Sequence, residues 1–508
     1  MPARPLQIDG DHGRAQRWPL HDRVASRTLE AHLAASCAPH ALMQRAGLAA
    51  ARLALALVPH AGRIWIAAGP GNNGGDGCEA AFHLQRAGKQ VSVSLLGDAA
   101  RRPADAAAAL ARAQAAGVTF TPDLPSTLQA DLVIDALLGL GSARAPQGAL
   151  AAAIGRVNGA STPRLALDLP SGLDPDTGAL AGTLAVQATD TLALLSLKPG
   201  LFTGAGRAHA GRLWFDALGA ALDAVDPCAW LSSRPTAPTR RHTDHKGHFG
   251  DITVVGGATG MTGAAWLAAC AALAAGAGRV YLALLDSTAP LLDATRPELM
   301  HRPQGWQAPP VTLAASTIVC GCGGGEAVRS ALPPLLSHSA RLLLDADALN
   351  AIATDSALQQ LLAARAGRGL ASVLTPHPLE AARLLGSDAA AVQADRLRAA
   401  QTLADRYGCV VVLKGSGTVI AAPGRAPTIN PTGNARLASA GTGDVLAGWI
   451  GGRWAARAAQ GAADAAALAF AVSVAAVWEH GHAAEGHAGR EHVPLRAGDL
   501  VERLAAAG

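Results

Sequence analysis

Along the first half of the chain, short continuous apolar runs alternate with longer stretches in which apolar residues return at helical spacing. HALMQRAGLAAARLALAL (40–57) has that helical spacing, and RIWIAAG (63–69) is the kind of run a buried strand shows. CEAAFHLQRAG (78–88) predicts a helix and VSVSLLG (91–97) the next strand; DLVIDALLG, RLALDLPSG and DTLALLSLKPG continue the series. Strands alternating with helices predict a parallel sheet with helices on both faces. WLSSRPTAPTRRHTDHKGHFG (230–250) breaks the rhythm with proline, serine, threonine and arginine, and reads as a linker. The rhythm then restarts in DITVVGGA, GAAWLAACAALAAG, RVYLALL, STIVCGCGGG, ARLLLDADALNAI, ASVLTPHPLEAARLLG and CVVVLKGSGTVIAA. A helix opening at GTGDVLAGWIGG and a long alanine-rich helix close it. The expectation is an α/β protein of two domains, 1–232 and 233–508, each with its own site.

Length supports the division, since 508 residues exceed what one core usually serves. No uninterrupted apolar run is long enough for a membrane span, and the most apolar window, near Ala465–Val477, reads as a buried helix. The opening residues lack an apolar signal core, so a cytoplasmic address is expected. A net charge of +4 with scattered arginines gives no reason to expect nucleic acid as a partner. The seven dispersed cysteines, with only Cys320 and Cys322 close-spaced, read as reduced structural thiols. His480, His482, His487 and His492 share no register, so a solvated connection is expected there rather than a metal site. Among 42 basic residues the lysines are only Lys89, Lys198, Lys246 and Lys414, and the last three lie in motifs. A lysine in so arginine-rich a chain marks a place where a compact ammonium serves better than a planar fork.

In the first domain, AAGPGNNGGDG (67–77) follows a strand and opens a helix, with Gly69, Gly71 and Gly74 in G-x-G-x-x-G spacing. Such a turn offers backbone amides to phosphate, and Asp98 stands where a dinucleotide-binding fold would put its ribose-binding acid. Asn72, Asn73 and Asp76 suit cation coordination or orientation of a polar substrate equally. Asp135, Asp168 and Ser171 stand at later strand ends, where ligands collect in an open parallel sheet. Each aspartate alone is also an ordinary turn or cap residue.

In the second, SAGTGD (439–444) puts glycines at a helix start without a Walker lysine. The amides of Gly441–Gly443 form a candidate anion hole, and Asp444 a candidate base for a substrate hydroxyl attacking phosphorus. A helix-start charge is the simpler reading of Asp444 by itself. Lys414 begins KGSGT, a candidate nucleotide turn ending at Thr418, and His377 sits between two prolines that stiffen its loop. An exposed lysine and a satisfied structural histidine are the alternatives.

GPGNNGGDG, IDALLGLG, LDLPSGLD, LKPGL and LMQRAG together resemble the NAD(P)HX epimerase family over most of residues 25–220. The resemblance implies a Rossmann-like three-layer domain that interconverts the R and S epimers of hydrated NADH or NADPH. By matched position, Asn72, Asn73, Gly74, Gly75 and Asp76 with Gly139, Leu140, Gly141, Ser142, Ala143, Arg144 and Ala145 would hold the substrate, beside a catalytic Asp168. Asn73, Asp135 and Ser171 would coordinate potassium. Gln44 stands where that family usually has glutamate, and Cys78 and Glu79 where it usually has apolar residues.

From about residue 240 to 500, HKGHFGDITVVGG, GMTGAAWLAACAALAAGAG, LDADALN and GTGD resemble the ADP-dependent NAD(P)HX dehydratase family, whose fold is ribokinase-like. The resemblance implies phosphorylation of the hydrate's hydroxyl by ADP, with ATP as the alternative donor, and Mg2+ with the nucleotide, then loss of phosphate to give NAD(P)H. Ala264, Gly323, His377 and Asp444 would face the hydrate, Asp444 as catalytic base. Lys414, Gly415, Ser416, Gly417, Thr418 and Gly443 would face the nucleotide. NARLASAGTGD departs from the usual NPGMATGGTGD, and GCGGG from GPGLG. The expected protein is a bifunctional repair enzyme, a homo-oligomer with small-molecule partners. The alternative is a ribokinase-like small-molecule kinase with an appended nucleotide-binding module.

Overall fold

A computed structural model of the chain describes residues 5–8, 17–98, 100, 102–141, 144–236, 239–461, 464–485 and 493–507. Trp18–Trp230, with the strand Leu6–Ile8, form one compact unit, and Leu231 onward form the other.

The first unit is built on an eight-stranded sheet in the order Leu6–Ile8, Arg212–Asp216, Asp190–Leu194, Arg164–Leu167, Leu132–Ala136, Arg63–Ala68, Gln90–Leu95, Thr119–Thr121. All neighbours are parallel except the outermost pair, Leu6–Ile8 with Arg212–Asp216. The chain reverses its direction of growth between Arg63–Ala68 and Leu132–Ala136, and such a switch point opens a crevice beyond the strands' carboxyl ends. Ala67 pairs with Asp135 across it, so the loops after the two strands face each other. Apart from the exposed Arg63, the central strands Arg63–Ala68 and Leu132–Ala136 are buried, which explains their continuous apolar runs. The helix expected from Cys78 already begins at Asn72, with Gly71 as N-cap. The glycines and asparagines of the motif are therefore helical residues.

In the second unit seven strands run parallel, in the order Met300–His301, Arg279–Leu284, Asp251–Gly256, Thr317–Cys320, Arg341–Leu344, Ala371–Leu374, Val410–Leu413. Val419–Ala421 and Thr428–Ile429 continue the sheet antiparallel. Growth reverses at Asp251–Gly256, again placing a crevice at the carboxyl ends. Helix Thr442–Ala458 packs against this sheet and alongside helix Thr262–Ala274, which also rests on the sheet. Close approach is possible because its inward positions are glycine: a Cβ at Gly448 would stand 1.9 Å from the Ala268 carbonyl oxygen, and one at Gly451 2.4 Å from Val319. The long helix Ala465–Glu485 buries Ala469, Phe470, Ala476, Val477 and Trp478. No helix among the described residues is long and apolar enough to cross a membrane.

Candidate active sites

In the first unit the crevice is a cleft of about 460 Å3 lined by Asn72, Asn73, Asp76, Gly139, Leu140, Gly141, Asp168 and Lys198, among others. Asp135, wholly buried at the end of its strand, accepts from the Ser171 hydroxyl (2.7 Å), the Ser171 amide (2.9 Å) and the Leu137 amide (3.1 Å). Burial pushes its carboxyl up to about 6, against the pull of these donors. Asn73 donates to the Leu138 carbonyl at 2.9 Å, while its own Oδ1 is buried with no hydrogen-bond partner. A buried carboxylate, a hydroxyl and an orphaned amide oxygen are the hard donor set of an oxygen-seeking cation.

Asp168 has φ of +68°, a left-handed conformation that costs a non-glycine residue energy. Its carboxylate is ion-paired to Lys198, which is 1% exposed and also donates to the Leu194 carbonyl at 2.7 Å. Asp76 and Glu30 share the cleft; burial, then Asp168, holds the carboxyls of both above their usual range. One cleft thus joins a carboxylate fixed by an ammonium to carboxyls biased toward the protonated form, a division suited to base and acid. Glu30 lies in helix Arg23–Ala35, which carries no motif, so only the tertiary fold reveals it.

Of the other expected residues, Gly74 and Gly75 pack inward: Cβ atoms there would meet the Gly69 carbonyl and Ala106. Arg144 and Ala145 are absent from the described lining, and Ser142 and Ala143 lie outside the described residues. Asp98 caps Ala100 and does not line the cleft. Cys78 packs with Met43, Ala106 and Ala109, and Glu79 is buried in ion pairs with Arg112 (3.0 Å) and His83 (3.2 Å).

In the second unit three strand ends and one helix start converge. Asp345 follows Arg341–Leu344, and accepts from Lys414 Nζ at 2.7 Å and the Thr375 hydroxyl at 2.8 Å. Lys414 is thereby drawn toward the GTGD turn, where a Cβ at Gly443 would lie 3.5 Å from its Nζ. Burial disfavours the ammonium, but Asp345 and Glu380 outweigh it and raise Lys414 above its ordinary range. Asp444 sits in the first turn of helix Thr442–Ala458, as expected. Burial lifts it to about 6, Asp345 adds to this, and the Cys322 thiol and Lys414 pull it back.

The Cys322 Sγ and carboxylate oxygens of Asp345 and Asp444 lie within 4.8 Å of one another, and burial holds the thiol well above its ordinary range. His480 corrects the solvated connection: it is a buried helical residue whose Nε2 donates to the Thr442 carbonyl at 3.0 Å, and burial lowers it to about 4. Its neutral ring braces the GTGD turn. His482 stacks on Trp478, while His487 and His492 lie outside the described residues. His377 caps helix Pro378–Leu385, its Nδ1 accepting from Leu379 and Glu380 amides at 3.1 and 3.3 Å. The satisfied-histidine reading therefore holds for Nδ1, while its side chain remains 46% exposed.

Gly323 (φ +59°) and Ala264 lie together, a Cβ at Gly323 falling 2.9 Å from that of Ala264. In KGSGT, Gly415 and Gly417 have φ of +138° and +64°, and the Thr418 hydroxyl donates to the Gly415 carbonyl. Arg396 holds the start of the turn through the Leu413 and Lys414 carbonyls. Ser416 is the turn's central residue, between the two glycines. Lys246 lies exposed in a 3-10 turn with no part in this constellation.

Residues 252–505 match a family described as NAD(P)H-hydrate dehydratase, and residues 39–200 one described as YjeF-related protein N-terminus. The bifunctional NAD(P)H-hydrate repair enzyme of Escherichia coli K12 is 38% identical over 430 residues, covering 81% of this chain and 79% of its own. That of Leishmania infantum is 36% identical over 546 residues, covering 98% and 94%. The chain belongs to the bifunctional NAD(P)H-hydrate repair enzymes.

Among solved structures, a Bacillus subtilis ADP/ATP-dependent NAD(P)H-hydrate dehydratase co-crystallised with ATP and Mg2+ is similar at 29% identity. That match covers 53% of this chain and 93% of the other, with a TM-score of 0.42. Within a repair enzyme, the departures at Cys78 and Glu79 are accommodated locally, the first in an apolar cluster and the second beside Arg112 and His83. The departure at Cys322 places a thiol beside Asp444.

Proposed function

We propose that the two sites act in sequence on hydrated NADH and NADPH, the first interconverting epimers and the second removing water from the S form at the expense of ADP. The observation that carries this reading is Asp444 at the mouth of a glycine-flanked helix start, with Lys414 and Asp345 beside it.

In the second site Asp444 takes the proton of the ring hydroxyl, and the oxygen attacks the terminal phosphorus of the nucleotide. The Gly441–Gly443 amides and Lys414 meet the charge that develops there. AMP leaves, the carbon–oxygen bond then breaks with release of phosphate, and a ring proton is lost to restore the double bond. Magnesium arriving on the nucleotide fits Asp345 and Asp444, whose carboxylate oxygens are the donors it takes. Ala264, Gly323 and His377 face the hydrate in this reading, and Gly415–Thr418 face the nucleotide.

Inverting a hydroxyl-bearing carbon requires a group to leave and return on the other face, which needs an acid and a base. Asp168 serves as base and Asp76 as acid, with Asn72, Asn73 and Gly139–Gly141 around the substrate. Potassium would be held by Asn73, Asp135 and Ser171, where the orphaned Asn73 Oδ1 supports it, and would supply a fixed positive charge beside the substrate. The seven free cysteines fit a reducing, cytoplasmic setting, and the same reading includes a homo-oligomer.

The test is incubation with separated epimers and ADP, following nicotinamide absorbance and phosphate. Asp444→Asn is expected to lower repair of both epimers by about 10²- to 10⁴-fold. Asp135→Ala should block use of the R epimer beyond its spontaneous conversion and leave the S epimer repairable. A stable phosphorylated product without recovered NADH would instead identify a small-molecule kinase.

A further inference from the structure

We propose that the second unit carries an additional anion site, a cleft for a small, multiply charged phosphate at the far end of the helix that begins with the GTGD turn. The cleft has a volume of about 320 Å3, and Arg234, Arg240, Arg453 and Arg457 line it. Arg453 and Arg457 follow Asp444 by nine and thirteen residues on helix Thr442–Ala458. At about 1.5 Å per residue they stand ~14 and ~20 Å along the axis, beyond reach of the phosphoryl-transfer chemistry.

Basic residues near a helix C-terminus are common because they complement its dipole, and this accounts for Arg453 and Arg457 taken singly. It does not account for Arg240, which comes from a different segment and reaches the same cleft. Arg240 stacks at 4.0 Å on the Phe249 ring and donates to the Gly276 carbonyl at 3.0 Å, which fixes its guanidinium without neutralising it. Glu479 is the one carboxylate among the described lining residues, and it is already taken by Arg453 and by the Trp449 indole N–H at 2.7 Å. The Arg457 side chain makes no ion pair or hydrogen bond among the described residues and is exposed.

With Glu479 committed to Arg453, Arg240 and Arg457 leave an excess of positive charge on this concave volume. Planar donors of this kind match phosphate oxygens two at a time. The size and charge of the cleft suit a diphosphate or triphosphate group, free or as the tail of a nucleotide. Phe249, Trp449, Trp478, Gln460 and His482 are also among its lining residues.

The test is calorimetric titration of inorganic pyrophosphate at constant ionic strength into the full chain carrying Lys414→Glu, which disables the phosphoryl-transfer site without placing a competing diphosphate in solution. Saturable binding is expected, weakened by added salt. In that background the Arg240→Glu, Arg457→Glu double variant should lose about tenfold or more in affinity, and in the otherwise native chain it should leave the KM for ADP unchanged. Should that variant fail to fold, Arg457→Gln with an unaltered melting temperature is expected to show a smaller loss. Titration of the same Lys414→Glu chain with ADP separates sources: equal affinity points to the phosphate tail alone, tighter binding to a nucleotide. Absence of saturable binding, or affinity unchanged in the folded variants, would overturn the proposal.

Discussion

Asp444 must be ionised to accept a proton, and its carboxyl is raised to about 6. Dehydration kcat/KM should therefore rise with pH through that value and level off above it. Since Lys414 pulls Asp444 down, Lys414→Met should move this acid limb to higher pH as well as lowering its height; an unmoved limb would sever the coupling. Asp135 has the same elevation without a cationic neighbour. Raised in the folded state, it favours folding when protonated and loses that contribution as pH climbs through about 6. A bound cation needs the carboxylate form, so the gain in melting temperature on replacing choline with potassium should be larger at pH 8 than at pH 5. Asp135→Asn should remove the difference. Asp135, Asp168 and Lys414 were readable in the sequence because each lies at the end of an apolar strand, where parallel sheets present their ligands, and Ser171 because it follows Asp168 in the same loop. Glu30, Cys322 and His480 were not, because their place beside the candidate sites depends on partners brought close only by the fold: Asp168 for Glu30, Asp444 for Cys322 and Thr442 for His480.

At the level of elements, helix Thr442–Ala458 holds Asp444 in place through contacts on both sides. Gly448 and Gly452 admit the backbone of Thr262–Ala274, which carries Ala264, and Gly451 admits the sheet side chains Val319 and Ile252. Gly448→Ala would drive a methyl against the Ala268 carbonyl, so a loss of ~1–3 kcal/mol is expected from urea unfolding, despite alanine's better helix propensity. Periodicity made this helix and its strands legible. It failed where glycine and asparagine are poor helix formers but tertiary contacts override them, as in the first turn of Asn72–Arg86. It also missed Arg212–Asp216, a short strand near the sheet edge whose burial alternates instead of running continuously.

Across the whole molecule, two motif sets in one chain announced two chemistries, and each unit has its own sheet reversal and its own paired lysine and aspartate. Lys198 with Asp168 serves one and Lys414 with Asp345 the other. The remaining lysines, Lys89 and Lys246, lie on the outside, Lys246 exposed and Lys89 partly exposed, donating to the Pro59 carbonyl. An amine-directed acylating reagent should consequently tag Lys246 and Lys89 first and reach Lys198 and Lys414 only as their sites open. ADP should delay Lys414 alone. With so few lysines, peptide mass spectrometry along a denaturant series would time the opening of each unit separately, without any introduced label.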